Sequence, residues 1–551
     1  MSEIKKEKLL FYFEKAKQYK DDIKGDYNET YALTDVSFEI KDDTSRQKAT
    51  MRGVDSTVLD SQRFLSSFIM SSVFSKTGRW ATLKSNLDVL KIIHDTDEEG
   101  AKIIANEVDK VLENNSESVY HAIDVTNYYT ETAKAVMDCI KVGTGIRKIV
   151  EQKSTSKPFT YEYQNLDNIF ILEDAQGKPN IIFKRYIEKN LQDIQDKFGH
   201  IAGYKDPQEL KNIDDLEEKI AIFEVVIGEF DEKTSRTMFY HAVYTEEFEE
   251  CLAEESLEYN PYTVFRWSVD SSNPWGIGIG RANKHLLQEL KNNVAKRAEH
   301  RDKIVNPPVN YYGDEKLINR VSLKAGKVNY GGAWNDGNKV AVQPIQTGMT
   351  LIPIDQDIAD CRERIRKAYI AQPLGDVGDT RNRSATEMDL RIELFRKEFS
   401  MTYELINTEL LEPTFMNAYY ILQSKGLLQE VENEDYVTHS QIHYVNELTR
   451  SAGRGDVMNM IDFYNMVGVV LPEDQRSFIF NVGKFVELAR DKMRIPLDVV
   501  ATAEELNENI AEQQKMMAIQ MMSQAQGRMG VSAETGLAAK VKEVGEELDD
   551  L

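Results

Sequence analysis

The run Gly276-Ile-Gly-Ile-Gly280 is the first place where residue types and spacing suggest chemistry, because glycines ahead of a helix can bring a pyrophosphate close to the backbone. That fingerprint needs a third glycine three residues after the second. Counted from Gly276 and Gly278 the place is held by Arg281, and from Gly278 and Gly280 by Asn283, so the run reads as a flexible hinge into a helix. A nucleoside triphosphate cradle, G-x-x-x-x-G-K-[ST], does not occur: Gly326-Lys327 is followed by Val328 and Gly483-Lys484 by Phe485. His439-Ser-Gln-Ile-His443 could set two imidazoles on one helical face, but the position of a zinc protease's glutamate holds Ser440, and two surface histidines are the plainer reading. Asp and Glu number 92, so paired carboxylates arise by chance. Cys139, Cys251 and Cys361 lie far apart without a C-x-x-C, which fits a reducing cytoplasm and no disulfide framework. These motifs call for no catalytic residue, metal or cofactor, and the expectation is a protein that is not an enzyme.

Charge is more informative. The formal net charge is -24 over 551 residues, which argues against a protein that coats nucleic acid by neutralising phosphates, though not against one that DNA slides past. Residues 281 to 303 hold seven Lys or Arg against three acids, while residues 501 to 551 hold ten acids against four bases. Arg362, Arg364, Arg366 and Lys367 crowd a second segment, and Arg381 and Arg383 a third. Two readings stand side by side. The bases could lie on solvated helix faces with salt bridges between neighbouring copies, or some could face a DNA path, sparse enough that a sliding polymer is not held.

The elements that must position these residues follow from periodicity. Residues 1 to about 150 read as mostly helical, with Val58, Phe64, Leu65, Phe68, Ile69 and Val73 on one face, a strand from Trp80 to Leu83, and helices over Glu98 to Asn114 and His121 to Ile140. Gly143-Thr-Gly145 breaks the pattern. Strands follow at 159–163, 169–172, 181–185, 220–227, 237–244 and 262–267, with a helix near Leu191 to Phe198. A long helix from Ile279 to Ile304 stops at Asn306-Pro-Pro308, and a strand-and-turn insert leads to a second helix near Ile354 with the stripe Ile358, Cys361, Ile365 and Tyr369. Residues 372 to 383, rich in Gly and small polar residues, form a loop. Ser384 with Glu387 is a capping box that opens a third helix, kinked at Pro413 and stopped at Gly426. Shorter helices are expected near 454–468, 472–489 and 503–526, before an acidic tail. The N-terminus lacks the apolar core of a signal peptide, no run reaches membrane-spanning length, and synthesis in the cytoplasm without membrane insertion is expected.

The order helix, Pro-Pro stop, β insert, helix, Gly-rich loop and long kinked helix resembles the portal, or head-to-tail connector, proteins of short-tailed bacteriophages. Three motifs carry the resemblance. Asn273-Pro-Trp-Gly-Ile-Gly-Ile-Gly-Arg281 is similar to the family's lead-in to its first stem helix. Arg383-Ser-Ala-Thr-Glu-Met388, followed by Leu410-Leu-Glu-Pro-Thr-Phe415, is similar to its T-A-T-E helix start and L-x-P kink. Gly53 to Leu83, with Phe64-Leu-Ser-Ser-Phe-Ile-Met70 and Trp80, is similar to its N-terminal helix and Trp strand. The segment Asp193 to Lys219 and the C-terminal tail depart from the pattern.

The resemblance implies an α+β fold, predominantly α, with wing, stem, clip and crown regions forming a ring. Residues 1–278 would be an N-terminal wing, 279–304 and 354–371 the stem helices, 305–353 the clip, 372–383 the tunnel loop, 384–500 the rest of the wing, and 501–551 the crown and acidic tail. It implies a DNA-facing tunnel loop of Pro373, Leu374, Gly375, Asp376, Val377, Gly378, Asp379, Thr380, Arg381 and Arg383. It implies channel bases among Lys291, Arg297, Arg301, Arg362 and Arg366, and a clip that meets tail adaptors through Asn306, Pro307, Pro308, Tyr311, Tyr312 and Trp334. The implied partners are further copies of the chain in a ring, usually a dodecamer, with double-stranded DNA, the terminase motor, tail adaptor proteins and the major capsid protein. The implied place is one capsid vertex of the virion, after synthesis in the host bacterium. A tail adaptor or internal core protein is the second reading and would lack a DNA-lining loop between two long helices. A cytosolic enzyme is the third, disfavoured by the missing motifs.

Overall fold

A computed structural model of the chain describes residues 6–35, 55–74, 80–94, 98–199, 219–231, 236–245, 250–305, 309–311, 342–344, 351–369, 399–431, 440–444 and 447–470, with a few single positions besides. In chain order, α1 (Lys6–Thr34) and α2 (Ser56–Ser72) precede β1 (Ala81–Lys84), α3 (Leu87–His94), α4 (Glu98–Asp124) and α5 (Tyr128–Val142). Next come β2 (Thr144–Glu151), β3 (Phe159–Tyr163), β4 (Ile169–Leu172), β5 (Ile181–Asn190) and α6 (Leu191–Phe198). The strands β6 (Lys219–Asp231), β7 (Arg236–Thr245), β8 (Cys251–Leu257) and β9 (Tyr262–Arg266) lead into α7 (Ile279–Ala282) and α8 (Lys284–Val305). Then follow β10 (Val309–Tyr311), β11 (Val342–Pro344), α9 (Ile352–Ala368), a π-turn at Asn407–Leu411, α10 (Glu412–Ser424), β12 (Gln441–Tyr444) and α11 (Glu447–Val470). The chain divides into two compact units, Met1–Asn446 and Glu447–Leu551, and α11 belongs to the second.

In the first unit an antiparallel sheet of order β4-β5-β6-β7-β8 lies with a smaller antiparallel sheet of order β3-β2-β9. Strand side chains alternate between faces, so each strand contributes to two layers. Phe183, Val225 and Ala242 share one face and pack beneath Leu9 and Ala16 of α1. Ile182, Val226 and Phe239 lie on the other face, with Ile146 and Val264 of the smaller sheet and Ile23 and Tyr27 of α1. Burial on both faces explains why β6 reads as an almost unbroken apolar run, Ile220-Ala-Ile-Phe-Glu-Val-Val-Ile227. Every predicted strand is present, several of them longer than expected. The sequence reading missed β2 and β8. β2 buries Arg147 and Lys148, and β8 carries Glu254-Glu-Ser256, so neither shows clean alternation of polar and apolar residues.

The expected break after Asn114 is absent, and α4 runs unbroken to Asp124. Asn115 does not end the helix because its amide is used elsewhere: it donates to Gln429 O at 3.0 Å and accepts from Gln429 N at 2.9 Å. Ser116 donates back to Leu112 O, four residues earlier. The expected kink at Pro413 takes the form of a π-turn, in which Glu412 N donates to Asn407 O. Proline brings no N–H to a helix, so the widened turn before it absorbs the irregularity and α10 continues to Ser424. Gly426, at φ 65°, ends it as predicted, with Leu427 N donating to Leu422 O.

The glycines read as a hinge are instead a tight backbone crossing. Gly143, at φ 111°, caps α5, and the chain at Gly276 and Gly278 runs directly against it. A Cβ on Gly276 would meet Gly143 O at 2.2 Å, and one on Gly278 would meet Gly143 N at 2.5 Å. One on Gly280 would meet Lys141 O at 2.5 Å. These neighbours are backbone atoms and cannot swing aside. Gly278→Ala is therefore expected to destabilise the protein by about 2–3 kcal/mol. Gly25→Ala, whose Cβ meets nothing within 4 Å on α1, should stabilise it by about 0.5–1 kcal/mol. Urea denaturation of the two variants checks this, and equal midpoints would contradict the crossing.

Candidate channel helices and the junction that holds them

The helices α8 and α9 pair with each other, burying Leu286, Leu287 and Leu290 of one and Ile358, Cys361 and Ile365 of the other. Arg297 pairs with Asp355, and Arg364 lies 4.0 Å from Glu289, so the two run antiparallel. Their free ends are bridged by the antiparallel pair β10 and β11. A groove of about 410 Å³ lies along the helices, lined by Val294, Arg297, Arg301, Asp355, Ile358 and Arg362, among others.

The implied channel bases have different surroundings. Arg362 donates to Asp55 at 2.8 Å. Asp55 is the N-cap of α2 and accepts from Thr57 N at 2.9 Å. Burial works against the Asp55 charge, but Arg362 and Thr57 outweigh it and hold the carboxyl below its ordinary value. Arg297 is tied to Asp355, and Arg301 lies 3.9 Å from Asp302. Lys291 and Arg366 are exposed and form no ion pair with another described residue, and the same holds for Lys296. The tunnel-loop positions, Pro373 to Thr380 with Arg381 and Arg383, lie outside the described residues, as do Asn306, Pro308, Tyr312, Trp334 and the Ser384–Glu387 pair. Pro307 is partly exposed, and Tyr311 in β10 stands opposite Val342.

The base of the helix pair is fastened by Arg281 and Lys284, counted in the basic run of 281–303, and by partners that the sequence pattern did not single out. Lys284 bonds Asp26 at 2.8 Å and Glu29 at 2.6 Å, and Arg281 reaches Asp26 at 3.5 Å, which joins α7 and α8 to α1. Arg266, only 2% exposed at the end of β9, donates from its backbone N at 2.9 Å and from its guanidinium to Glu409 in the π-turn. It also pairs with Glu173 and donates to Gly177 O at 3.0 Å and Pro274 O at 3.3 Å. Burial pushes the Glu409 carboxyl up from its ordinary value, and the Arg266 donors limit that rise. Arg147 lies wholly buried between the rings of Tyr128 and Tyr161 and donates to Thr132 and Thr414. The signal for both arginines was a cation inside an otherwise apolar strand, alone in Tyr262-Thr-Val-Phe-Arg266 and next to Lys148 in Gly145-Ile-Arg-Lys-Ile149.

The helical reading of the histidine pair does not hold, because His443 lies in β12, opposite Thr82 of β1. No group of His, Cys, Asp and Glu among the described residues could hold a metal ion, and no described helix is long and apolar enough to cross a membrane.

Replacing Arg266 leaves two carboxylates facing each other without their shared partner. Arg266→Met is expected to cost about 3–5 kcal/mol. The double change Arg266→Met with Glu409→Leu should cost less than the sum of the single changes, measured by urea denaturation, whereas strict additivity would count against the pair.

A family model described as bacteriophage head to tail connecting protein matches residues 6–500 of the chain. No curated protein matches it. The match takes in both sheets, the paired helices and the π-turn, and the chain therefore belongs to the bacteriophage head-to-tail connecting proteins, components of the virion that associate with its head and tail.

Proposed function

We propose that the chain is the portal subunit of its phage: a ring at one capsid vertex through which DNA is packaged, retained and ejected, with the terminase motor docking during filling and tail adaptors afterwards. The observation that carries this reading is the pair α8 and α9, two antiparallel helices held at one end by ion pairs to α1 and joined at the other by a β pair. A ring arises when one patch meets a different patch on the next copy and the rotation closes. Amphipathic helices suit this, since one face can pack while the other looks into a lumen.

The distribution of bases supports a passage rather than a clamp. Each phosphate neutralised by a fixed cation adds affinity and resists sliding. Arg297 and Arg362 are already engaged by Asp355 and Asp55, which leaves Lys291, Lys296 and Arg366 as the cations of these helices best able to meet a passing phosphate. With a net charge of -24 on each copy, the ring as a whole repels DNA, so the few exposed bases without an ion pair among the described residues guide it without holding it. In this reading residues 372–383 form the loop at the narrowest point, residues 305–353 the adaptor-facing clip and residues 503–526 the crown, and the protein has no catalytic activity of its own.

Negative-stain microscopy of the purified chain tests the assembly. Rings with a central hole are expected, and a monomer at micromolar concentration with no ring at any salt would favour a tail adaptor or core protein. Deleting Pro373 to Thr380 should leave rings intact while packaging or DNA retention fails. Loss of the rings would mean that the loop is structural.

A further inference from the structure

The larger sheet carries a buried charge cluster remote from the helices discussed above. Glu224 of β6 is wholly buried and accepts from four groups: Lys148 of β2, Tyr186 of β5 at 2.8 Å, Tyr262 of β9 at 2.7 Å, and His241 Nε2 of β7 at 2.8 Å. The other ring nitrogen of His241, Nδ1, lies 2.6 Å from Glu255 Oε1. Glu255 stands directly opposite His241 on β8, the edge strand of the sheet. The cluster borders a cavity of about 870 Å³ lined in part by Lys148, Lys197, His241, Glu255 and Tyr259.

The chemistry of imidazole makes this arrangement directional. A carboxylate only accepts hydrogen bonds, and a neutral imidazole carries a single N–H. With carboxylates against both nitrogens, both bonds form only when the ring is an imidazolium. After loss of one proton, one carboxylate must face a nitrogen lone pair. Glu224 keeps three other donors and is wholly buried, whereas the Glu255 side chain is 29% exposed. We propose that His241 is a proton-dependent latch, which as an imidazolium clasps Glu255 and the edge strand β8 to the sheet and on losing its proton releases that strand beside the cavity.

The surrounding groups fix the direction of the pH effect. Burial works against a charged ring, yet Glu224 and Glu255 raise His241 above its ordinary value, with Lys148 opposing them. Burial likewise works against Glu224, and Lys148 and His241 hold its carboxyl well below the ordinary range. Lys184 of β5, Lys197 of α6 and Glu162 of β3 lie near the cluster, and Glu151, Lys153, Asp196 and Lys425 also line the cavity. A histidine value raised by folding means that the folded protein binds the proton more tightly than the unfolded chain does. The clasp therefore contributes in full below about pH 6.5 and is lost as pH climbs through the raised value. On the acid side, the Glu224 contribution is present above about pH 4.3 and is lost as pH falls through its depressed value.

Hydrogen exchange of the full-length protein, followed by mass spectrometry from pH 6 to pH 10 and corrected for intrinsic exchange, tests the latch. Peptides covering Cys251–Leu257 should lose protection by at least about threefold as the pH rises, while those covering Ile169–Leu172 at the opposite edge stay constant. Glu255→Gln, at a part-exposed edge position that a folded protein tolerates, removes one of the two carboxylates and should flatten the profile, as should His241→Gln. The proposal is overturned if wild-type Cys251–Leu257 shows no pH-dependent loss beyond that of Ile169–Leu172, or if the Glu255→Gln protein loses protection just as the wild type does. The outcome is independent of whether the chain forms a DNA channel.

Discussion

At Gly143 two stretches of backbone pass so closely that neither can carry a side chain. One is the turn from α5 into β2, and the other is the approach to α7 through Gly276 and Gly278. Much of the first unit is organised around this crossing. It fixes where the smaller sheet begins relative to where the paired helices begin. Arg266 stands beside it, with its Cβ 3.0 Å from the place where a Cβ of Gly276 would lie, and reaches from there to Glu409 in the π-turn. Sheet, helix pair and kinked helix therefore meet within a few ångströms, fixed by backbone contact and a buried ion pair together.

The chain has 68 Lys and Arg against 92 acids, and the placement of its cations is informative. Several lie inside the fold. Arg147, Lys148 and Arg266 are almost wholly buried, and Lys20 is buried enough to be lowered to about 7, chiefly by desolvation. Its ammonium bonds the carbonyls of Leu166, Asp167 and Ile169. A buried ion is costly unless each of its polar atoms finds a partner, so such groups specify one arrangement more than they add stability. In the proposed ring, identical copies would present identical surfaces to one another, and a uniquely specified subunit would matter more than a large stability margin.

The paired helices show a complementary economy. The segment from 281 to 303 looks like a basic stretch, yet Arg281, Lys284 and Arg297 are matched to acids on α1 and α9. Much of its apparent excess of charge is consumed within the subunit. Lys291 and Lys296 are the bases of this segment that form no ion pair with another described residue, which suits the proposed passage for a polyanion.

The sequence by itself determined the family and most of the described elements, but not β2, β8 or β12. Helices announced by apolar spacing, such as α2 and α9, and strands rich in β-branched and aromatic residues, such as β4 and β7, follow local periodicity and can be read without a structure. So can the stop at Gly426, where only the left-handed backbone is involved. The tertiary structure decided what the polar residues do. Asn115 looked like a helix end and is a clamp on Gln429, while Glu224 and His241, which no sequence pattern singled out, share one buried cluster. The glycines at 276 and 278 looked like a hinge and are a lock, because their partner Gly143 lies more than a hundred residues earlier. Periodicity reports which face of an element is apolar. The partner that satisfies a buried polar atom, or that forbids a Cβ, is chosen by chain segments far apart in sequence, and becomes visible only when the fold brings them together.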